Sequence, residues 1–347
     1  MNEKLKKILQ YAVSAVLAVT LLYFSFRNVH WHDFWLGVKS CRWGFVLLSM
    51  AFGVLSFYFR ALRWRRLLLP IDPATKIKDT FNAVNISYVV NMVLPRVGEV
   101  VRCGYITKHS SADEDGHKRA TFDKVLGTAI ADRIWDAVTL SILLVLMALL
   151  LWGRFGEFLS DDVINPISSN RNLIWIIAGT VIFIAAAFFL IFKLRDRNRL
   201  CAGIWKVIGG VGQGLASSFH LERSWIFLSW NILVWCMYLM TCATVLWALQ
   251  GMDTSAMSAE MAAAFGKIND LNMVDALFLM AVGAISSLVP VPGGFGAFHY
   301  LVSLALTAVY GIPTEIGIIF ATISHESQMI TQIICGGLSY TFEVTRR

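Results

Sequence analysis

Long apolar stretches recur along the whole chain, and they limit the folds open to it. Because the hydrocarbon core of a bilayer is about 30 Å thick, a helix needs about 20 apolar residues to cross it. The sequence predicts six full spans: 8–26, 43–59, 125–152, 172–192, 225–249 and 316–338. Only 15% of residues are charged, which is low for a soluble domain. We therefore expect an all-α polytopic membrane protein rather than a soluble enzyme.

Two further apolar stretches are interrupted by proline and glycine. The stretch 81–106 breaks at 94–99, and the stretch 276–310 breaks at 289–296. Proline removes a backbone donor and clashes with the preceding turn, so a helix stops or kinks there. The arm before each break has 14 residues, which is short for a span. The pattern predicts two re-entrant or broken helical hairpins.

The distribution of basic residues predicts the orientation in the membrane. If both hairpins return to the side they entered from, 22 of the 30 Lys and Arg residues lie in cytoplasmic segments and six lie outside. The cytoplasmic segments are 1–7, 60–80, 102–124, 193–223 and 339–347. The outside segments are 27–42, 153–171 and 250–272. The positive-inside rule then places both termini in the cytoplasm, and the net charge of +7 indicates lipid head groups rather than nucleic acid as the partner.

The two hairpins enter from opposite faces and share one pattern, which indicates an inverted repeat. We interpret residues 1–347 as a single integral membrane domain, with halves of about 1–192 and 193–347. In each hairpin the arm after the break presents a helix N-terminus near the midplane, where its partial positive charge favours an anion. Arg96 adds a guanidinium at the first break, and Gly293 and Gly294 allow close approach at the second. Phosphate is the expected anion.

Other ionisable residues are expected at similar depth and complete the candidate substrate-binding set. They are Glu99, Arg102, Asp132, Arg133, Asp136, His299, His325 and Glu326. Intramembrane charges are costly, so function is the default hypothesis. Structural ion clusters, an interfacial pair or interhelical hydrogen bonds would also explain them. Arg60 and Arg63 follow the second span and either anchor the topology or bind lipid head groups.

Four sequence elements together resemble the lysylphosphatidylglycerol synthase transmembrane (flippase-like) family. Residues 94–102 resemble its LPxRxGExxR segment, and residues 60–64 match its RxxRW element. Residues 131–136 resemble its ERxxD element, and residues 290–296 its PxPGGxG loop. The resemblance implies a bacterial inner-membrane protein that translocates a lipid or a lipid-linked head group, here a stand-alone form without the aminoacyl-transferase domain. His299 stands where the family has a Glu, and His325 where an Arg is common, which leaves the substrate open.

Three functions are open at this point. The leading one is a translocase for an anionic phospholipid or a lipid phosphate, working by alternating access. The second is a membrane glycosyltransferase, for which the run Asp113-Glu114-Asp115 is the one acidic motif. The third is a non-transporting partner of an envelope complex. Spacing along the chain predicts no metal site and no cofactor, and a homodimer is compatible with the sequence.

Overall fold

The computed structural model describes residues 3–27, 29–150 and 223–345, with scattered positions between 175 and 205, and side chains from Tyr11 onward. In that part the chain forms α-helices and one isolated β-bridge, Ala112 with Lys118. The helices are α1 (Glu3–Phe26), α2 (Trp31–Ser40), α3 (Trp43–Leu68), α4 (Ile77–Val93), α5 (Val97–His109), α6 (Phe122–Leu150), α7 (Ser224–Leu249), α8 (Ala259–Asn269), α9 (Met273–Ser286), α10 (Ala297–Tyr310) and α11 (Thr314–Thr345). The all-α polytopic fold is confirmed.

Within the described residues, four helical segments are long and apolar enough to cross a bilayer. They are Trp43–Leu68, Phe122–Leu150, Ser224–Leu249 and Pro292–Tyr310. The count rises to six if two bent pairs, α1 with α2 and α8 with α9, are each one span. The predicted span 316–338 forms as the 32-residue α11, which is less apolar because it carries residues such as His325 and Glu326. The predicted span 172–192 lies largely outside the described residues.

Two short helices lie where the sequence analysis placed outside loops. α2 occupies most of 27–42, and α8 occupies part of 250–272. Each helix buries one face. α2 buries Phe34 and Gly37, and α8 buries Met261, Phe265 and Ile268 at helical spacing. Ser258 caps α8 by accepting the backbone N–H of Met261 at 3.2 Å. These segments therefore pack against the protein instead of remaining open loops.

Each predicted hairpin has both of its ends on one side of the molecule. Before α4, Asp72 accepts hydrogen bonds from Ser110 and Ser111, which follow α5. Before α9, Lys267 donates to the carbonyl oxygen of Gly311, which follows α10, at 2.8 Å. The 26 residues of α3 span about 39 Å between the loop of Asp72 and Arg42. At that far end Arg42 bonds to Gln250, which donates to the carbonyl oxygens of Ile268 and Leu271 just before α9. The hairpins thus enter from opposite ends of α3.

Helix packing around the hairpins relies on small and polar residues. α3 and α7 run antiparallel, with Ser49 donating to the carbonyl oxygen of Thr241 at 2.9 Å and the rings of Phe59 and Trp230 stacked near the other end. α11 packs against α3, α4 and α10. At Gly336 of α11 a Cβ atom would lie 2.9 Å from the backbone of α4. Such close approach is the usual basis of helix association in membranes.

The chain divides into two compact units. The first contains Met1–Ala129 and Arg223–Arg347, and the second contains Ile130–Glu222. Both hairpins belong to the first unit. α6 begins in the first unit, and the rest of it is the main described element of the second.

Candidate functional site

The two helix breaks touch through Arg96. This residue caps α5 in the left-handed conformation, with φ of 66°, which costs a non-glycine residue about 1–2 kcal/mol. Its Nη2 donates to the carbonyl oxygen of Leu288, between the end of α9 and the second break, at 3.4 Å. α4 also packs against the 3-10 turn Pro292–Gly294. A strained, exposed cation at the contact of two broken helices is typical of a functional position.

The amino end of α5 is held tightly against α4. The backbone N–H of Gly98 donates to Asn91 Oδ1 at 2.8 Å, and a Cβ at Gly98 would lie 2.1 Å from the carbonyl oxygen of Ser87. One of the free helical amides expected to bind an anion is therefore already used by Asn91. This makes the guanidinium of Arg96 the main positive group at the first break.

The second break depends on glycine for its path. Gly293 and Gly296 have φ of 57° and 80°, a region that glycine adopts without steric cost. A Cβ at Gly296 would also lie 2.7 Å from the carbonyl oxygen of Ala18 in α1. Val291 and Ala297, on either side of the turn, are buried with Ala18. The loop is thereby fixed against α1, with Gly293 facing α11.

His299, His325 and Glu326 come together beside this loop. His325 Nε2 lies 3.0 Å from the carbonyl oxygen of Gly293, and its Nδ1 lies 3.1 Å from Glu326 Oε1. His299 Nε2 lies 3.6 Å from the same carboxylate oxygen. A Cβ at Gly294 would lie 3.4 Å from His325 Nε2. The structure therefore joins five of the predicted site residues in one cluster.

Aromatic rings enclose the two imidazoles, and the sequence analysis did not single them out. The centroid of Phe295 lies 5.1 Å from that of His325, and Phe298 lies 5.3 Å from it. Phe26, at the end of α1, lies 5.7 Å from His299. Phe295 follows Gly294 directly and Phe298 comes two residues after Gly296, so their position beside the glycines was a usable signal. Phe26 could not be assigned because only the fold brings it there.

An apolar cavity of about 200 Å³ lies next to the cluster, between α2, α3 and α11. Its walls include Phe34, Trp35, Trp43, Met50, Ile330 and Glu326. Glu326 is the one ionisable residue among those that line it. The cavity and the histidine cluster therefore share this carboxylate, which places a polar group at the edge of an apolar space.

Glu99 and Arg102 form an ion pair within α5, and Arg102 also contacts a second of the sequence elements through Trp64. Arg102 Nε lies 2.7 Å from Glu99 Oε2, and the Arg102 side chain is 1% exposed. Its guanidinium lies over the ring of Trp64 at 4.5 Å, and Nη2 donates to the carbonyl oxygen of Ala129. Trp64 in turn donates to Thr128 at 3.1 Å. Burial and these contacts fit a role in joining α3, α5 and α6.

Arg60 and Arg63 lie inside the packed helices, not at an exposed end of the second span. α3 continues to Leu68, nine residues beyond the predicted end at 59, so both side chains are buried. Arg60 donates to the hydroxyl of Tyr238 at 3.0 Å, and Arg63 donates to Asn231 Oδ1 at 2.7 Å. The interaction with α7 is a contact that the apolar pattern of α7 did not reveal.

Asp132, Arg133 and Asp136 lie on α6 in the second unit. Arg133 Nη1 lies 3.4 Å from Asp136 Oδ2, and Asp132 is fully buried. Arg133 thus pairs with the acid three residues ahead.

The acidic run Asp113-Glu114-Asp115 lies in the loop after α5. Asp113 Oδ1 accepts the backbone N–H groups of Asp115 at 3.1 Å and His117 at 2.8 Å. This carboxylate thus closes a turn, which accounts for its presence without a nucleotide-sugar site.

A sequence model described as the lysylphosphatidylglycerol synthase TM region matches residues 8–336. No curated protein and no solved structure matches the chain.

Proposed function

We propose, from the premise that this chain belongs to the lysylphosphatidylglycerol synthase transmembrane family, that it moves an anionic phospholipid or a lipid-linked phosphate head group across the membrane. Membership in the family supports a role in membrane lipid metabolism or transport in the broad sense. The step from that role to translocation rests on the geometry of the two helix breaks.

The contact between Arg96 and Leu288 carries the proposal. Among the described residues, the Leu288 carbonyl is the one hydrogen-bond acceptor of Arg96, and a guanidinium has five N–H donors. The remaining donors can bind a phosphate in the bidentate manner that arginine favours. Because Arg96 sits where hairpins from opposite ends of α3 meet, a phosphate held there has protein on both sides of it.

The apolar cavity supports a lipid rather than a free phosphate as the substrate. An amphiphile needs a polar group for its head and apolar surface for its chains. The aromatic walls of the cavity on the Glu326 side of the second break, including Phe34 and Trp43, offer apolar surface for part of one chain. A free anion would gain nothing from such a surface.

Alternating access between the hairpins is the mechanism that fits this arrangement. We propose that the two halves form an inverted repeat, in which the hairpins 81–106 and 276–310 rock against each other around a fixed site. We place the chain in a bacterial inner membrane, and the distribution of Lys and Arg supports an orientation with both termini on the cytoplasmic side. In this proposal the chain is a carrier, not an enzyme.

Lipid movement in proteoliposomes tests the function directly. The purified protein is reconstituted with a fluorescent phosphatidylglycerol or a fluorescent phosphatidylcholine, and a membrane-impermeant quencher reports which leaflet holds the label. We expect movement of the anionic lipid above that in protein-free vesicles, and little movement of the zwitterionic one. Equal rates with and without protein, for both phosphatidylglycerol and a labelled polyprenyl phosphate, would contradict the proposal.

A further inference from the structure

The cluster beside the second break has the composition of a metal site, and it combines residues from two separate parts of the sequence. His299 lies on α10, and His325 and Glu326 lie on α11. One ligand atom from each residue lies within 4.8 Å of the others. Spacing along the chain could not predict this, because the two histidines are 26 positions apart.

The hydrogen bond to Gly293 determines which ring nitrogen of His325 carries the hydrogen. A carbonyl oxygen only accepts, so His325 Nε2, at 3.0 Å from Gly293 O, carries the hydrogen. In the neutral ring, Nδ1 then presents its lone pair to Glu326 Oε1 at 3.1 Å. Two lone pairs this close repel each other unless a positive centre lies between them. The arrangement therefore calls for a bound cation or an added proton.

His299 gives a second, independent indication. Its side chain is 2% exposed, and its Nδ1 has no hydrogen-bond partner among the described residues. Its Nε2 is 3.6 Å from Glu326 Oε1, beyond hydrogen-bonding distance. A buried imidazole with neither nitrogen hydrogen-bonded in the described part of the chain is costly. Its Nε2 faces the Glu326 oxygen that also lies against His325 Nδ1, so an ion bound between them would pair that nitrogen.

The two separations measured from Glu326 are close to those of atoms that share one ion, and all three ligand atoms lie within 4.8 Å of one another. Two ligands at about 2.1 Å from a tetrahedral ion are about 3.4 Å apart. The two separations from Glu326 Oε1, 3.1 Å to His325 and 3.6 Å to His299, lie on either side of this value. The bond from His325 to Gly293 is also the kind of outer contact that orients metal-binding histidines.

We propose that His299, His325 and Glu326 bind one divalent first-row transition-metal ion such as Zn²⁺. Two imidazoles and a carboxylate suit that class of ion, and they leave a position open for a further ligand. The ion ties α10 to α11 and, through the Gly293 carbonyl, holds the turn of the second break. The proposal does not depend on lipid transport by this chain.

Metal binding to the purified full chain tests the site. The protein, with its affinity tag removed, is stripped with a chelator and dialysed, and Zn²⁺ or Co²⁺ is added. We expect one equivalent of metal by elemental analysis, a higher melting temperature with Zn²⁺, and visible absorption bands with Co²⁺. His299→Gln and His325→Gln are each expected to weaken binding by at least about tenfold.

The control is His117→Gln, because His117 is an exposed loop histidine and should leave binding unchanged. Glu326→Gln covers the case in which a histidine variant fails to fold, because the Glu326 side chain is 39% exposed and its amide is close in shape. The proposal is overturned if the wild-type chain holds no Zn²⁺ after dialysis, the result expected if a proton occupies the cluster. It is also overturned if Glu326→Gln binds as tightly as the wild type. Lipid movement that persists in a chain without metal would leave the proposed function standing, so the two failures are distinguishable.

Discussion

Arg96 donates a hydrogen bond to the carbonyl oxygen of Leu288, across 192 positions of the chain. The bond joins the breaks of two hairpins that enter from opposite ends of α3. A movement of either hairpin would therefore change the position of Arg96 or of its hydrogen-bond acceptor.

Replacing Arg96 with alanine should slow lipid movement strongly without unfolding the protein. The Arg96 side chain is exposed, so its removal loses little packing. The backbone of Arg96 is in the left-handed region with either residue. Loss of hydrogen bonds from a charged group should slow movement about 10- to 100-fold, and Arg96→Lys should recover only part of the rate because lysine lacks the planar fork. Movement is measured in proteoliposomes, with Arg27→Ala as the control, because Arg27 is also an exposed arginine at a helix end. A rate for Arg96→Ala equal to that of Arg27→Ala would remove the proposed role.

Replacing Gly98 with alanine should force α4 and α5 apart. The added Cβ would lie 2.1 Å from the backbone oxygen of Ser87, and overpacking of this kind costs about 1–3 kcal/mol. Gly104→Ala on the same helix is the matched control, because a Cβ there meets nothing within 4 Å. Alanine in that helix should stabilise slightly. The melting temperature, measured by thermal unfolding in detergent, should be lower for Gly98→Ala than for the wild type and unchanged or higher for Gly104→Ala. Equal melting temperatures for the two variants would show that the hairpin is not tightly packed.

Replacing Arg102 with methionine should destabilise the first unit more than replacing its partner Glu99 with glutamine. The Arg102 side chain is 1% exposed, whereas that of Glu99 is 24% exposed. Removing one partner of a buried ion pair costs about 3–5 kcal/mol, and Arg102→Met also loses the stacking on Trp64. Unfolding measured by denaturant in detergent should rank the variants in this order. Arg119→Met, in an exposed loop, should behave as the wild type, and a reversed order would show that the pair is not the main support of this region.

The helices and their interruptions could be predicted from the sequence because they depend on local properties. Pro95 and the Pro290–Gly296 run set both breaks, and the apolar length of residues 43–59 identified α3. The end of α3 was missed because Arg60 and Arg63 are charged and looked like a boundary. Only tertiary packing against Asn231 and Tyr238 shows that they continue the helix as buried groups.

The candidate site was predicted in part. Arg96, Gly293 and the two histidines were identified from intramembrane charge and from glycine next to proline. The sequence did not indicate which site residues contact one another. Arg102 pairs locally with Glu99, whereas His299 approaches Glu326 only because α10 packs against α11. Contacts between residues far apart in the sequence leave no periodic signal, and one sequence taken alone holds no other record of them.

Replacing Asp72 with asparagine should make the stability of the protein less dependent on pH. Asp72 lies in the loop before α4, where its carboxylate accepts hydrogen bonds from Ser110, Ser111 and Ala74. Burial raises the pKa of this carboxyl group, but the hydrogen bonds outweigh burial and hold the pKa below its ordinary value. A group whose pKa is lowered on folding adds stability above its unfolded pKa, about 3.9, and that stability is lost as the pH falls through the lower, folded pKa.

The wild type should therefore melt at a higher temperature than Asp72→Asn at pH 7, and the difference should shrink as the pH falls below about 4. Hydrogen bonds to a charged group contribute about 1.5–3 kcal/mol, so the difference at pH 7 should be easily measured by thermal unfolding in detergent. Glu114→Gln is the control, because Glu114 is an exposed carboxylate in the neighbouring loop. This substitution should change the melting temperature neither at pH 7 nor below about pH 4. A difference between the wild type and Asp72→Asn that stays constant from pH 7 to pH 3 would show that the charge of Asp72 does not hold the two loops together.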